Sequence, residues 1–107
     1  MAVSQTLPGE IVDVRPLGDN IVGANTGTLI STEHVKVVRV VLHAGKSLPE
    51  HKAKGEIVVQ CLEGRVMFRS LGKEIEIQPG QLIYLKCAEP HSVSAMEDSS
   101  FLLTVVF

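Results

Sequence analysis

The stretch Gly45-Lys-Ser-Leu-Pro-Glu-His51-Lys-Ala-Lys-Gly-Glu-Ile57-Val-Val-Gln-Cys-Leu-Glu-Gly64 decides the fold of this chain of 107 residues. It predicts a loop that ends in His51, a short apolar strand over residues 57–62 and a Glu-Gly turn. A second stretch, Pro79-Gly-Gln-Leu-Ile-Tyr-Leu-Lys-Cys-Ala-Glu-Pro-His91, has the same order of turn, strand, turn and histidine. Because the two stretches share one plan, we expect His51 and His91 to belong to one site.

Short strands separated by turns continue on both sides of these stretches. Residues 35–43 are the strongest strand, since their apolar side chains fall on both parities and indicate burial on both faces. Residues 65–69 and 73–77 alternate apolar and polar side chains around a hairpin tip at residues 71–72. Residues 10–14 are a weaker candidate for a first strand. No segment carries the apolar stripe of a helix, so the pattern predicts an all-β antiparallel sandwich or closed barrel.

The spacing of glycines and histidines in the two stretches resembles the paired motifs of the cupin family. Gly45, His51 and Gly64 stand at the family's positions in the first motif, and Gly80 and His91 stand at theirs in the second. The resemblance implies a small, single-domain, RmlC-like cupin. It also implies the fold of that family, a double-stranded β-helix jelly-roll barrel.

The sequence departs from the family's motifs at five positions. Ala53 replaces the second histidine of the first motif, and Ile57 stands where the family has a glutamate. In the second motif Lys86, Ala88 and Ala95 replace the family's Pro, Gly and Asn. Two of the four metal ligands that the resemblance implies are therefore absent.

The remaining histidines lead to a first functional hypothesis, a metal-dependent enzyme. The resemblance implies that His51 and His91 lie side by side at one end of the barrel and point inward. Glu56 is the candidate for a third ligand, but it is one residue away from the family's position, so a β-bulge at Gly55 would be needed to turn it inward. Two His and a carboxylate would suit a divalent transition metal, namely Fe, Mn, Ni, Cu or Zn, and oxygenase or isomerase chemistry.

The hypothesis that we prefer to the metal-dependent enzyme is a binding or sensing module without a metal. Ala53 and Ile57 then close the former ligand positions with apolar atoms, and His51 and His91 stand at the mouth of a pocket for a small molecule. Residues of matching parity are expected to line this pocket: Ile57, Val59, Cys61, Ile83 and Leu85. A third hypothesis is a structural domain whose main role is dimerisation.

Length and composition indicate one domain over residues 1–107, with residues 1–9 as an N-terminal arm. The hydrophobic fraction is 45% and the aromatic fraction 4%, so Val, Ile and Leu must fill the interior. Arg39 lies in the strongest strand and, if buried, requires a carboxylate or carbonyl partner.

Charge and cysteine content restrict the partners. A net charge of -2 without clusters of either sign argues against nucleic acid and against an anionic membrane. The first residues lack the basic and apolar regions of a signal peptide, so we expect a cytoplasmic protein whose Cys61 and Cys87 are free thiols. The very apolar last strand predicts a homodimer, because that strand has no polar face for water.

Overall fold

Two antiparallel sheets form the protein in a computed structural model, which describes residues 6–86 and 88–107 but not the side chain of His51. The first sheet has the strand order β1-β2-β9-β4-β7 and the second the order β3-β8-β5-β6. The strands are β1 Gly27–Ser31, β2 Val35–Leu42, β3 Ser47–His51, β4 Glu56–Glu63, β5 Val66–Ser70, β6 Lys73–Ile77, β7 Leu82–Leu85, β8 His91–Ala95 and β9 Ser99–Val106. This arrangement confirms the all-β jelly roll.

Helical structure is scarce in the described part of the chain. A short 3₁₀ helix spans Gly18–Gly23, ahead of β1. Within residues 6–86 and 88–107, no helix is long and apolar enough to cross a membrane. Residues 10–14 are not a strand, so that expectation is wrong.

The segment before His51 also differs from the expected loop, because Ser47–His51 forms β3. Pro49 lies in this strand although it has no N–H to donate. The position is tolerated because β3 is at the edge of its sheet, where one side of the strand needs no ladder hydrogen bonds. Proline therefore concealed an edge strand from the sequence pattern.

The core lies between the two sheets and is built mainly of aliphatic side chains. Alternate residues of each strand point inward, as the period of two requires. On β4 the inward residues are Ile57, Val59 and Cys61, which are 1%, 0% and 0% exposed. On the facing sheet Val66 and Phe68 are equally well buried, at 0% and 2%. The few aromatic rings therefore supplement a core of Val, Ile and Leu, as the composition indicated.

The chain ahead of β1 is attached to the barrel by hydrogen bonds. Thr6 donates its backbone N–H to the carbonyl of Leu29, at 2.9 Å. Further along, Leu17 and Gly18 donate their backbone N–H groups to the carboxylate of Glu63, at 2.9 and 3.1 Å. Of the expected arm over residues 1–9, residues 1–5 lie outside the described part, and the arm stays a prediction.

Candidate functional site

Strand register brings four polar positions into one line across the four-stranded sheet. Ser70 pairs with Lys73 on β6 and with His91 on β8, and His91 pairs in turn with His51 on β3. We call these four positions the polar row. They lie at the end of the barrel where β3 ends and β8 begins, which we call the mouth.

The structure describes only the backbone of His51. Its pairing opposite His91 agrees with the expectation that the two histidines are neighbours. The side chain of His51 lies outside the described part of the structure, so its expected part in the site stays a prediction.

The imidazole of His91 is held in a fixed environment. The residue is 3% exposed, and its ring centroid lies 5.7 Å from that of Phe68 with the planes tilted by 43°. Its Nδ1 lies 3.0 Å from the carbonyl oxygen of Glu89. A carbonyl can only accept, so Nδ1 carries a proton and donates it. In the neutral ring Nε2 is therefore the acceptor.

The loop between β7 and β8 supports this geometry. Ala88 adopts a φ of 65° and donates its N–H to the carbonyl of Ala53 at 3.2 Å, which joins the two loops of the mouth. Glu89 accepts the N–H of Lys86 through Oε1 at 3.3 Å. Its Oε2 is buried with no hydrogen-bond partner among the residues that the structure describes. The mouth therefore contains a carboxylate oxygen that can accept a proton donor.

The wall opposite the polar row is apolar. Ile57 pairs with Leu85 and with Val105 on the other sheet, and these residues are 1%, 4% and 9% exposed. The mouth therefore has one polar side and one apolar side.

Most of the residues expected to line a pocket belong to the packed core. Val59 and Cys61 have no surface that a water molecule can reach, and Ile57 and Leu85 have almost none. Ile83 is half-buried and packs against the same cluster. In this conformation the middle of the barrel is filled at these positions by its own side chains, and any accessible space lies nearer the mouth.

The thiol of Cys61 lies in the buried core. Burial raises the pKa of the Cys61 thiol, and the Sγ lies 3.5 Å from the carbonyl oxygen of Glu63. Such a thiol is unreactive at neutral pH, and Cys61 is a free cysteine as expected. Cys87 lies outside the described residues.

Glu56 does not lie in the mouth. It is exposed on the outer face of β4, where Tyr84 donates its hydroxyl to Oε1 at 2.5 Å. This hydrogen bond raises the pKa of Tyr84. The pairing of β4 with β9 is regular from Glu56 to Cys61 and shifts only beyond Cys61. The bulge needed at Gly55 is therefore absent from this ladder, and the inward placement of Glu56 is wrong.

Gly55 has a different role from the one expected. An added Cβ would overlap the backbone carbonyl of Val106. Glycine at this position lets β4 start close against the end of β9. The sequence could not distinguish this close approach from a bulge, because both require the same residue.

These positions do not fit the three-ligand metal site. His91 is on the inner face and Glu56 on the outer face of the barrel. Among residues 6–86 and 88–107, no three His, Cys, Asp or Glu side chains are grouped so that they could hold a metal ion. The described residues therefore offer His91 as a single ligand from the predicted set.

A cleft beside the mouth was not anticipated from the sequence. It has a volume of ≈ 500 Å³ and lies at the tip of the β5–β6 hairpin. It is lined by Glu50, Arg69, Ser70, Leu71, Gly72, Lys73, Glu74 and Pro90. Two members of the polar row, Ser70 and Lys73, therefore also border this cleft.

Comparison with known proteins agrees with this architecture. The sequence model of the family described as "Cupin domain" matches residues 38–107. No curated protein is significantly similar in sequence.

Solved structures extend the likeness to most of the chain. A conserved protein of unknown function from Streptococcus pyogenes has 19% identity and a TM-score of 0.76, over 99% of this chain and 95% of that one. An RmlC-like cupin from Desulfovibrio desulfuricans has 28% identity and a TM-score of 0.69, over 76% and 79%. A salicylate 1,2-dioxygenase mutant from Pseudoaminobacter salicylatoxidans has 15% identity and a TM-score of 0.70, over 76% and 25%.

Proposed function

Since the chain belongs to the cupin domain family, we propose that it binds a small organic molecule at the mouth of its barrel. The observation that carries this proposal is the buried imidazole of His91 beside the apolar core cluster. A mostly apolar surface with a few placed polar groups is the usual composition of a small-molecule site.

The two walls of the mouth suggest which parts of a ligand each would contact. His91 donates its Nδ1–H to the carbonyl of Glu89, so a ligand that forms a hydrogen bond with this ring would do so at Nε2. Ser70 donates its hydroxyl to the carbonyl of Pro90 at 2.9 Å, so its oxygen can accept from a ligand. Ile57 and Leu85 form the apolar side of the mouth, and since only 1% and 4% of their surface is exposed, they would touch a ligand only at their edges. A ligand with a donor group at one end and a hydrocarbon body fits both walls.

The packed core limits how deep such a ligand can enter. Val59 and Cys61 are 0% exposed, so contact with either would require the sheets to move apart. We therefore expect binding near Ile57 and Leu85, and the roles of Val59, Cys61 and Ile83 in a pocket stay predictions.

Titration of a small-molecule fragment library, followed by amide chemical shifts, tests this proposal. We expect binders to shift the amides around His91, and His91→Gln to weaken binding by about tenfold, as the loss of one buried hydrogen bond implies. His43→Gln is the matched control, since His43 follows the end of β2 that is far from the mouth. Chemical-shift changes confined to residues away from the mouth would contradict the proposal. So would an equal loss of affinity in His91→Gln and His43→Gln.

A metal-dependent enzyme is the second candidate. Its support is the strand register that pairs His51 with His91, together with the fold likeness to a dioxygenase. Elemental analysis for Fe, Mn, Ni, Cu and Zn on protein purified without chelator tests it. One bound metal per chain that is lost in the His51→Ala/His91→Ala variant would favour the enzyme, and absence of metal from both would favour binding alone.

We also propose that the chain forms a homodimer through the outer face of the five-stranded sheet. Leu82, Tyr84 and Val106 are 61%, 51% and 45% exposed on that face, and a flat sheet face can pair with itself about a two-fold axis. Light scattering should show a dimer that Leu82→Glu converts to a monomer. Ile83→Val, on the inner face, should leave the dimer intact. A monomer in the native protein would overturn this proposal and the dimerisation role.

The expected cytoplasmic location stays a prediction.

A further inference from the structure

We propose that the cleft at the β5–β6 hairpin tip is a separate binding site for a small zwitterion with an aliphatic body, of the ω-amino acid class. Its volume of ≈ 500 Å³ lies within the range of small-molecule sites. The inference does not depend on ligand binding at the mouth.

Charge is what selects the ligand class. Four charged side chains line the cleft, but Arg69 and Glu74 neutralise each other through an ion pair of 2.7 Å. Arg69 also donates to the hydroxyl of Ser94 at 3.3 Å. Lys73 and Glu50 remain, and within the described residues neither has an ion-pair or hydrogen-bond partner for its side chain. The cleft thus presents one cation and one anion that are available to a ligand.

The positions of these two charges determine the length of the ligand. Glu50 is on β3 and Lys73 is on β6, with β8 and β5 between them in the sheet order. Three strand spacings correspond to about 14 Å between the backbones. An extended ω-amino acid, with its ammonium toward Glu50 and its carboxylate toward Lys73, covers more of this separation than an α-amino acid does.

Apolar contact comes from the hairpin tip. Leu71 adopts a φ of 56° and is 70% exposed, although two-residue hairpins strongly prefer Asn-Gly or Asp-Gly at such positions. A leucine in this conformation is strained and buries little within its own chain. With Pro90 on the other side of the cleft, it provides a wall for a hydrocarbon segment. The strain is explained if the side chain serves a ligand rather than the turn.

Calorimetric titration with 6-aminohexanoate tests the proposal, with hexanoate and hexylamine as probes that each carry one of the two charges. We expect the zwitterion to bind about fivefold more tightly than either analogue, as one exposed ion pair implies. Shortening the probe to β-alanine should lose this advantage, because the two charges then cannot reach both side chains.

Variants assign the binding to the cleft. Glu50→Gln should lower the affinity for 6-aminohexanoate to that for hexanoate, and Lys73→Gln should lower it to that for hexylamine. Lys46→Gln and Glu33→Gln, which are exposed and outside the cleft, are the controls and should change nothing.

The site is distinguished from the mouth by His91→Gln, which should leave 6-aminohexanoate binding unchanged. Three results would overturn the inference: equal affinities for the zwitterion and a single-charge analogue, loss of binding in His91→Gln, or no binding of 6-aminohexanoate to the native protein. Binding at the mouth could stand in the first and third cases, so the two proposals fail separately.

Discussion

The two ends of the barrel differ in how completely their partly buried carboxylates are hydrogen-bonded. At the end of β4, Glu63 accepts hydrogen bonds from Leu17, Gly18 and Ser100 and lies 3.4 Å from the guanidinium of Arg39. At the mouth, the buried Oε2 of Glu89 lacks a partner among the described residues. We call the first of these regions the closed end. The carboxylate at the closed end is satisfied and helps to hold the chain together, whereas at the mouth one carboxylate oxygen is left for another molecule.

Electrostatics at the closed end follow from this network. Burial alone would raise the pKa of Glu63, but hydrogen bonds from Leu17, Ser100 and Gly18 and the charge of Arg39 outweigh it, so the pKa is lowered. Arg39 also donates to the carbonyl of Arg15 at 2.6 Å. Arg39 thus has both a carboxylate and a carbonyl partner, as expected for a buried guanidinium. The bonds of Glu63 and Arg39 therefore hold the segment ahead of β1 against β2 and β4.

The largest effect is expected from crowding the closed end. Gly64 and Gly45 both have a φ of 81°, but an added Cβ at Gly64 would overlap the side chain of Ser99 and lie 2.5 Å from the carbonyl oxygen of Asp98. At Gly45 it would meet nothing within 4 Å. We expect Gly64→Ala to lower the free energy of unfolding by about 3 kcal/mol and Gly45→Ala by about 1 kcal/mol. Urea denaturation measures both, and equal losses would show that the closed end is not tightly packed.

Removing the charge of Glu63 should have the next largest effect. We expect Glu63→Gln to lower the free energy of unfolding by about 2 kcal/mol at neutral pH, because charged hydrogen bonds are lost. The pKa of Glu63 is lowered in the folded state from its usual value of 4.5. Its stabilisation is therefore complete above that value and is lost as the pH falls through the folded-state pKa.

The pH dependence supplies the control for this variant. Urea denaturation of both proteins across the acid range should show a difference that is constant near neutrality and shrinks below about pH 4.5. A difference that does not depend on pH would mean that the carboxylate contributes by packing alone.

A smaller effect is expected from changes to the two buried phenylalanines, and these changes should distinguish the mouth from the closed end. Phe68 and Phe101 are both 2% exposed, but only Phe68 has a ring contact with His91 in the described structure. We expect Phe68→Leu and Phe101→Leu each to lower the free energy of unfolding by about 1.5 kcal/mol. Only Phe68→Leu should also shift the His91 ring resonances in the NMR spectrum. If Phe101→Leu shifted them equally, the mouth would not be an independent unit.

The smallest effect should come from relieving the strain at the hairpin tip. Leu71→Asn introduces the residue that a two-residue turn before Gly72 prefers, and we expect it to raise the free energy of unfolding by about 0.5 kcal/mol. Lys73→Gln is the comparison, since it leaves the turn conformation unchanged and should alter stability little. Thermal unfolding measures both, and a loss of stability in Leu71→Asn would mean that the leucine supports the fold.

Local patterns were sufficient for most of the strands. Alternation identified residues 73–77, and the predicted bounds agree with β6, which is Lys73–Ile77. Alternation relates side chains two residues apart, so it can be recognised in the sequence without knowledge of the fold. β3 was missed because its pattern contains Pro49, which only an edge position allows.

The sequence by itself determined the all-β class and the turn positions, and its resemblance to the cupin family implied that His51 and His91 are neighbours. Only the tertiary structure decided that Glu56 faces outward toward Tyr84, because one residue of register inverts a strand side chain and no local signal specifies the register. It also decided that Lys73 and Glu50 border one cleft, since they come from strands that are distant in the chain. Which polar groups find partners depends on contacts between distant segments, and those contacts exist only in the folded barrel.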